Sequence, residues 1–219
     1  MLEYKGVKIT WLGHDAFLLE KDFKIIIDPY RISKPLEADL VLVSHEHFDH
    51  MSVEDLGKVS SSRTTIVAAK ECISKLAGIP FKEKITLAPG EEKTIHGIKL
   101  KGIAAYNIDK INPDTKKPFH PKEDGKIGFL INIHGTTIYH TGDSDLVPEM
   151  SNLQPDVLLV PVSGTYVMNP REAARAVDAI KPKIAVPMHY GAIVGSPQDA
   201  QEFKNAVTSC EVHILTKEP

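Results

Sequence analysis

Ser44-His45-Glu46-His47-Phe48-Asp49-His50 is the stretch on which the reading of this chain turns. It puts three imidazoles and the Asp49 carboxylate within six residues, directly after the apolar run Asp39-Leu40-Val41-Leu42-Val43. A β-branched, apolar run of that length reads as a buried strand. The cluster therefore falls on the loop leaving a strand's carboxyl end, where α/β folds place their ligand sites. His45 and His47, two apart on an extended backbone, point to the same side, and Asp49 and His50 follow after a turn and face a second point nearby. A helix cap at Asp49 or Ser52 would explain one polar residue. It would not explain three histidines. Neutral imidazoles and carboxylates are the natural ligands of zinc and similar divalent ions.

Working outward, the 219 residues suit one compact domain, 1–219, with a sizeable core. A hydrophobic share of 42% and a charged share of 25% are those of an ordinary globular protein. The formal net charge of −3 and the lack of a basic stripe give no support for nucleic-acid binding. Met1-Leu2-Glu3-Tyr4-Lys5 lacks the apolar core of a signal peptide, and no apolar run approaches a membrane-spanning length. Cys72 and Cys210, far apart in segments that read as helical, suggest a reducing compartment rather than a disulfide framework. A cytoplasmic protein is expected.

The pattern predicts strands over 7–11, 16–20 and 23–28 in a meander, then the buried strand 40–43. Helical spacing over 53–59 and 70–76 flanks a strand over 65–69. Further strands are expected over 85–88, 92–95 and 98–104, with His96-Gly97 as a hairpin turn, and over 127–133 and 137–140 around His134-Gly135. Strands over 157–160, 184–187 and 212–215 then alternate with helices over 170–180 and 198–207. Meanders followed by β-α-β units suggest two sheets with helices outside them. The irregular stretch 107–126 is long for a compact domain, and such loops are more often functional than idle.

Two other strand ends carry candidate ligands. Tyr139-His140-Thr141-Gly142-Asp143-Ser144 ends a strand in a Gly turn bearing an acid, and Ile184-Ala185-Val186-Pro187-Met188-His189-Tyr190-Gly191 ends one in a histidine. Alone, Asp143 reads equally as a turn residue and His189 as a core histidine. Three strand ends of one chemistry are harder to ascribe to chance.

These residues resemble the metallo-β-lactamase-fold hydrolases, over most of the chain. His45-Glu46-His47-Phe48-Asp49-His50 matches the HxHxDH signature, Thr141-Gly142-Asp143 looks like the family's GD turn, and His189 resembles its last histidine. Trp11-Leu12-Gly13-His14 and Ile27-Asp28-Pro29 are similar to the N-terminal marks of a short cytosolic branch that includes ascorbate-phosphate-lactonase-like proteins. The resemblance implies a four-layer αββα sandwich with two metals at one edge between the sheets. It implies that His45 and His47 bind the first metal, that Asp49, His50 and His189 bind the second, and that Asp143 bridges them.

One departure stands out. The family gives the first metal a third histidine from the strand end before the GD turn, and here that strand ends in Ala105-Tyr106-Asn107. His120, on the long loop, is the expected replacement. Asn107 is the alternative, although an amide oxygen is a poorer zinc ligand than imidazole. With neither His120 nor Asn107 at the metal, the first site would be weak and the enzyme would run on one ion. His14 and His140 are expected beside the ligands or in structural roles, Asp28 to orient a ligand histidine, and Tyr166 either to line the cleft or to belong to a simple Gly turn. His96 and His134 read as solvated turn residues, and His213 as an edge residue of the last strand.

Two divalent ions lower the pKa of a shared water towards neutrality, with Asp49 orienting the resulting hydroxide and handling its proton. That suits hydrolysis of a small-molecule ester, lactone, amide or phosphodiester. Zn2+ is the expected metal, with Mn2+ and Fe2+ as alternatives. A nuclease or nucleotide phosphodiesterase on the same fold and a non-catalytic metal-binding protein are the competing readings. Structural zinc sites are usually cysteine-rich, and this set has no cysteine. No nucleic-acid or membrane partner is expected, and assembly into a homo-oligomer is compatible with the sequence.

Overall fold

A computed structural model describes residues 1–218. The chain divides into two compact units, Met1–Ala88 together with the residues from Leu215 on, and Pro89–Ile214. Each contains one seven-stranded mixed sheet in which every strand pairs with its neighbour in sequence.

In the first unit β1 (Leu2–Tyr4), β2 (Val7–Gly13), β3 (Ala16–Glu20) and β4 (Lys24–Ile27) form an antiparallel meander. From β4 the sheet continues in parallel through β5 (Leu40–Val43), β6 (Thr65–Ala68) and β7 (Glu83–Thr86). Helices α1 (Val53–Val59) and α2 (Lys70–Ile73) make the crossovers that parallel neighbours require. Strands β5 and β6 are buried along their whole length, which is why they read as continuous apolar runs rather than alternating ones. Ser52 caps α1 through its side chain, and Asp55 in the first turn accepts the backbone N–H groups of Arg31 and Ile32 and a bond from Lys58.

The second unit repeats the plan. Strands β8 (Glu92–Ile95), β9 (Ile98–Ala104), β10 (Ile127–Ile133) and β11 (Thr136–His140) are antiparallel. β12 (Val157–Pro161), β13 (Ile184–Met188) and β14 (Glu211–Val212) then follow in parallel, with α3 (Pro170–Ile180) and α4 (Pro197–Ala206) between them. The turns His96-Gly97 and His134-Gly135 both hold two successive positive-φ residues, the backbone that a two-residue hairpin needs. Helix α3 is fixed at its start by a capping box between Asn169 and Glu172, and its buried face is Ala173, Ala174, Ala176, Val177 and Ile180.

Some expectations shift. β1 is too short to show a period, and only the Lys5-Gly6 turn, at φ 47° and 77°, marks it. The last strand stops at Val212, not Leu215, and further on Glu218 N–H bonds Trp11 O and ties the tail to β2. Cys210 lies outside any helix, between α4 and β14. The 107–126 loop is organised by an Ile111–Pro118 bridge, an Asn112-centred turn and a 3-10 turn at Lys122–Asp124. Among the described residues no helix is long and apolar enough to cross a membrane.

Candidate metal centre

The candidate ligands of each unit gather at the ends of strands, and each unit's set is held by its own partners. In the first unit, Asp28 follows β4 and is fully buried at a left-handed φ of 44°. Its Oδ1 accepts Ser44 N–H at 2.8 Å, and its Oδ2 accepts the Ser44 hydroxyl at 2.6 Å and the His50 Nδ1 proton at 2.9 Å. The chain extends one step further, since Ser44 Oγ lies 3.0 Å from His45 Nδ1. With the hydroxyl proton given to Asp28, Ser44 accepts from His45. Both histidines therefore carry their proton on Nδ1, which leaves Nε2 of each as the electron-pair donor.

His45 Nε2 and His47 Nδ1 stand 3.1 Å apart, with the rings edge to face at 4.6 Å. His45 is buried, whereas the His47 side chain is 40% exposed. The His45 and His50 ring centroids are 4.0 Å apart. His14, in the β2–β3 turn at φ 53°, places Nε2 3.0 Å from Asp49 Oδ2. Phe48 is 65% exposed and meets the buried Tyr30 ring edge-on at 6.0 Å.

In the second unit His120 is buried, not solvated. Asn107 Oδ1 accepts both its backbone N–H and its Nδ1 proton at 2.9 Å, and Asn107 Nδ2 donates to Tyr166 O at 3.0 Å. Asn107 thus sets the His120 tautomer, and His120 Nε2 lies 3.4 Å from Asp143 Oδ2. His189, at the end of β13 and φ 59°, is oriented by Ser163 Oγ, 2.8 Å from its Nδ1, and its Nε2 is 3.3 Å from the same Asp143 oxygen. His140 Nδ1 accepts Gly142 N–H and supports the turn that carries Asp143. Tyr166 offers its carbonyl to Asn107 while its ring meets Phe119 edge-on.

The donor chemistry fits divalent metal ions. Ligands held about 2.1 Å from one ion stand about 3.0 Å apart along an octahedral edge and about 3.4 Å along a tetrahedral one. The His45–His47, His120–Asp143 and His189–Asp143 separations fall in that range. Left-handed φ values at His14, Asp28 and His189 cost energy in a non-glycine residue and persist where surroundings impose them, typically at functional sites.

Five residues support the site in ways the sequence did not assign to them. Ser44 and Ser163, the latter expected only as part of a cleft-lining or simple Gly-turn segment, lie within hydrogen-bond distance of His45 and His189, a role that short polar residues at strand ends can signal. Asp15 is fully buried beside His14. Asp145 joins the Asp143 turn to the loop, taking Ile108 N–H at 2.7 Å and donating its own N–H to Tyr106 O. Burial pushes its carboxyl above the usual carboxylate range despite the Ile108 bond and the Lys110 charge. Gly128, in β10, has no sequence signal. A Cβ there would stand 2.6 Å from Thr141 O and 2.7 Å from His140 O, so only glycine lets the Asp143 turn approach.

A family model described as a β-lactamase superfamily domain matches residues 8–189. The chain belongs to the metallo-β-lactamase superfamily and, within it, to the family that includes the UPF0173 proteins. A relative from Methanosarcina barkeri named UPF0173 metal-dependent hydrolase is 34% identical, with 97% of this chain and 94% of the relative covered. One from Pelotomaculum thermopropionicum with the same name is also 34% identical, with 96% and 97% covered. Among solved structures, a Parabacteroides distasonis chain superposes with a TM-score of 0.81 at 28% identity over 96% of this chain and 94% of its own. Igni18, a metallo hydrolase from Ignicoccus hospitalis, does so with 0.77 at 27%, with 97% and 96% covered. The α/β fold with its two mixed sheets is that of the metallo-β-lactamase proteins.

Proposed function

We propose that the chain is a metal-dependent hydrolase with a dinuclear centre, acting on a small-molecule ester, lactone, amide or phosphodiester. In this reading the chain, 1–219, is one metallo-β-lactamase-like domain. His45, His47 and His120 would hold the first ion and Asp49, His50 and His189 the second, with Asp143 serving both. The observation that carries it is that each buried histidine of the set has Nδ1 engaged by a polar partner, which leaves Nε2 for a metal: His45 by Ser44, His50 by Asp28, His120 by Asn107 and His189 by Ser163. Such partnering is the habit of metal-bound imidazole. A mixed imidazole and carboxylate set without cysteine favours a catalytic over a structural role.

When bound, the ions acidify a water molecule and polarise the substrate's carbonyl or phosphoryl oxygen. Asp49 receives the proton released on attack and returns it to the leaving group, with His14 holding its carboxylate in place at 3.0 Å. Asn107 holds His120 through the carbonyl anchor of Tyr166 and so keeps the loop folded back. The exposed edge of His47 and the Phe48 ring give substrate a way in. Zinc is the ion these donors take most readily, then Mn2+ and Fe2+. The work is expected in the cytoplasm, without nucleic acid or membrane.

The test is a panel of lactones, carboxylic esters, amides and phosphodiesters turned over by metal-loaded protein, with chelated protein beside it. Turnover of one class, lost on chelation and restored by metal, supports the reading. Equal turnover with and without metal contradicts it.

A further inference from the structure

We propose that Asp15 is an additional metal ligand, sharing the ion of His50, and that this extra carboxylate tilts the position towards Mn2+ or Fe2+ over Zn2+. The proposal rests on the dinuclear reading above, in which His50 is a ligand, and adds to it a residue and a metal preference.

The placement of Asp15 follows from its turn. β2 and β3 pair with a register shift between Trp11 and Gly13, and Gly13 and His14 both take positive φ, at 111° and 53°. The stem of Lys217 packs where a Gly13 side chain would stand, 3.0 Å from an ideal Cβ, so this backbone needs glycine. The outcome is that Asp15, which a regular hairpin would leave at a solvated tip, is fully buried.

Its Oδ2 lies 3.5 Å from His50 Nε2, and Asp49 Oδ2 lies 3.9 Å from the same nitrogen. Both exceed the roughly 3.2 Å limit of a good N–H···O bond. The Asp15 separation is close to the roughly 3.0–3.4 Å between two ligands of a common ion, and the Asp49 separation is wider. His50 Nδ1 is engaged by Asp28 at 2.9 Å, so Nε2 is the nitrogen that would bind. His14, Asp15 and His50 each offer an atom within 4.8 Å of the others, all buried. His14 Nε2, 3.0 Å from Asp49 Oδ2, is at hydrogen-bond length and stays the partner of Asp49.

Charge points the same way. The Asp15 and Asp49 carboxylates lie near one imidazole edge, a mixed donor set that a divalent ion would bind. Carboxylate oxygens suit Mn2+ and similar ions, while imidazole suits zinc, so a third carboxylate beside Asp49 and Asp143 moves the preference towards the former.

The experiment compares wild type with Asp15→Asn, which keeps the volume but replaces a carboxylate oxygen by a weaker amide ligand. Metal content and binding of Mn2+ and Zn2+ are read by elemental analysis and titration calorimetry. The wild type should take two ions. Asp15→Asn should keep the first, bind the second about 10-fold or more weakly as Mn2+, and lose less for Zn2+. Unchanged affinity and metal preference in a folded Asp15→Asn would overturn the proposal and leave the dinuclear reading intact, whereas a wild type that takes no metal would overturn both. Should Asp15→Asn fail to fold, a crystal structure of Mn2+-loaded wild type decides. An Asp15 oxygen about 2.2 Å from an ion supports the role, and one more than about 3 Å away refutes it.

Discussion

Replacing Asp28 by asparagine separates orientation of the ligands from maintenance of the fold. Asparagine tolerates the left-handed backbone at this position, φ 44°, and its oxygen can still accept Ser44 N–H where Asp28 Oδ1 does at 2.8 Å. Its NH2 group then replaces the oxygen that now accepts from Ser44 Oγ and His50 Nδ1. Both partners must reverse. His50 has to accept at Nδ1 and carry its proton on Nε2, and Ser44 has to donate to His45 Nδ1, which moves that proton to Nε2 as well. One amide thereby blocks the two nitrogens that the proposed centre assigns to metal. Exchanging two charge-assisted bonds, about 1.5–3 kcal/mol each, for neutral ones of about 1 kcal/mol costs roughly 1–4 kcal/mol. Centred near 2.5 kcal/mol, that is close to a 100-fold loss of metal affinity, at the upper end of the 10- to 100-fold seen when such outer partners are removed. In the metal-free protein the same loss lowers Tm by about 5–10 °C for a chain of this size. Competition against a chromogenic chelator and thermal unfolding of the apoprotein measure both effects. Wild-type metal affinity in Asp28→Asn would show that the chain from Asp28 through Ser44 to His45 does not set the tautomers.

Asp49→Asn should reduce kcat by two orders of magnitude or more while most of the metal stays bound at the other ligands, checked by steady-state rates beside elemental analysis. His120→Ala should weaken metal binding about 10-fold or more, and Asn107→Ala should follow it in direction, because Asn107 holds both the backbone and the ring of His120; chelator competition ranks the two. Gly128→Ala drives a methyl group into Thr141 O at 2.6 Å and should displace the Asp143 turn, costing about 1–3 kcal/mol in denaturant titration together with metal bound by Asp143. The Asp55 carboxyl is held below the usual carboxylate range: burial opposes ionisation, and the bonds from Lys58 and from the Arg31 and Ile32 N–H groups outweigh it. Its contribution is therefore complete above the unfolded carboxylate value of about 3.9 and lost as pH falls below that, so urea unfolding of apo Asp55→Asn should differ most from wild type at neutral pH and converge with it in acid.

The periodic elements were legible where local chemistry and tertiary demand agreed. β5 and α3 begin and end where the apolar run and the Asn169–Glu172 capping box put them, and both hairpin turns follow from His-Gly pairs able to take positive φ. The candidate ligand motifs stood out because imidazole and carboxylate at a strand end have few other uses. What escaped was set by partners distant in sequence. Gly128 matters only because Thr141 O comes against it. Asn107 and His120, thirteen residues apart, read as rivals for one role, whereas the loop folds so that the amide holds the imidazole. Asp15 drew no reading because nothing local announces that it is buried behind the Gly13-His14 backbone.

The most direct test of the central claim is elemental analysis of the wild-type protein purified without chelators. The dinuclear reading predicts two divalent transition-metal ions per chain. Protein that is folded yet holds only trace metal, and takes up none when zinc or manganese is supplied, would contradict it.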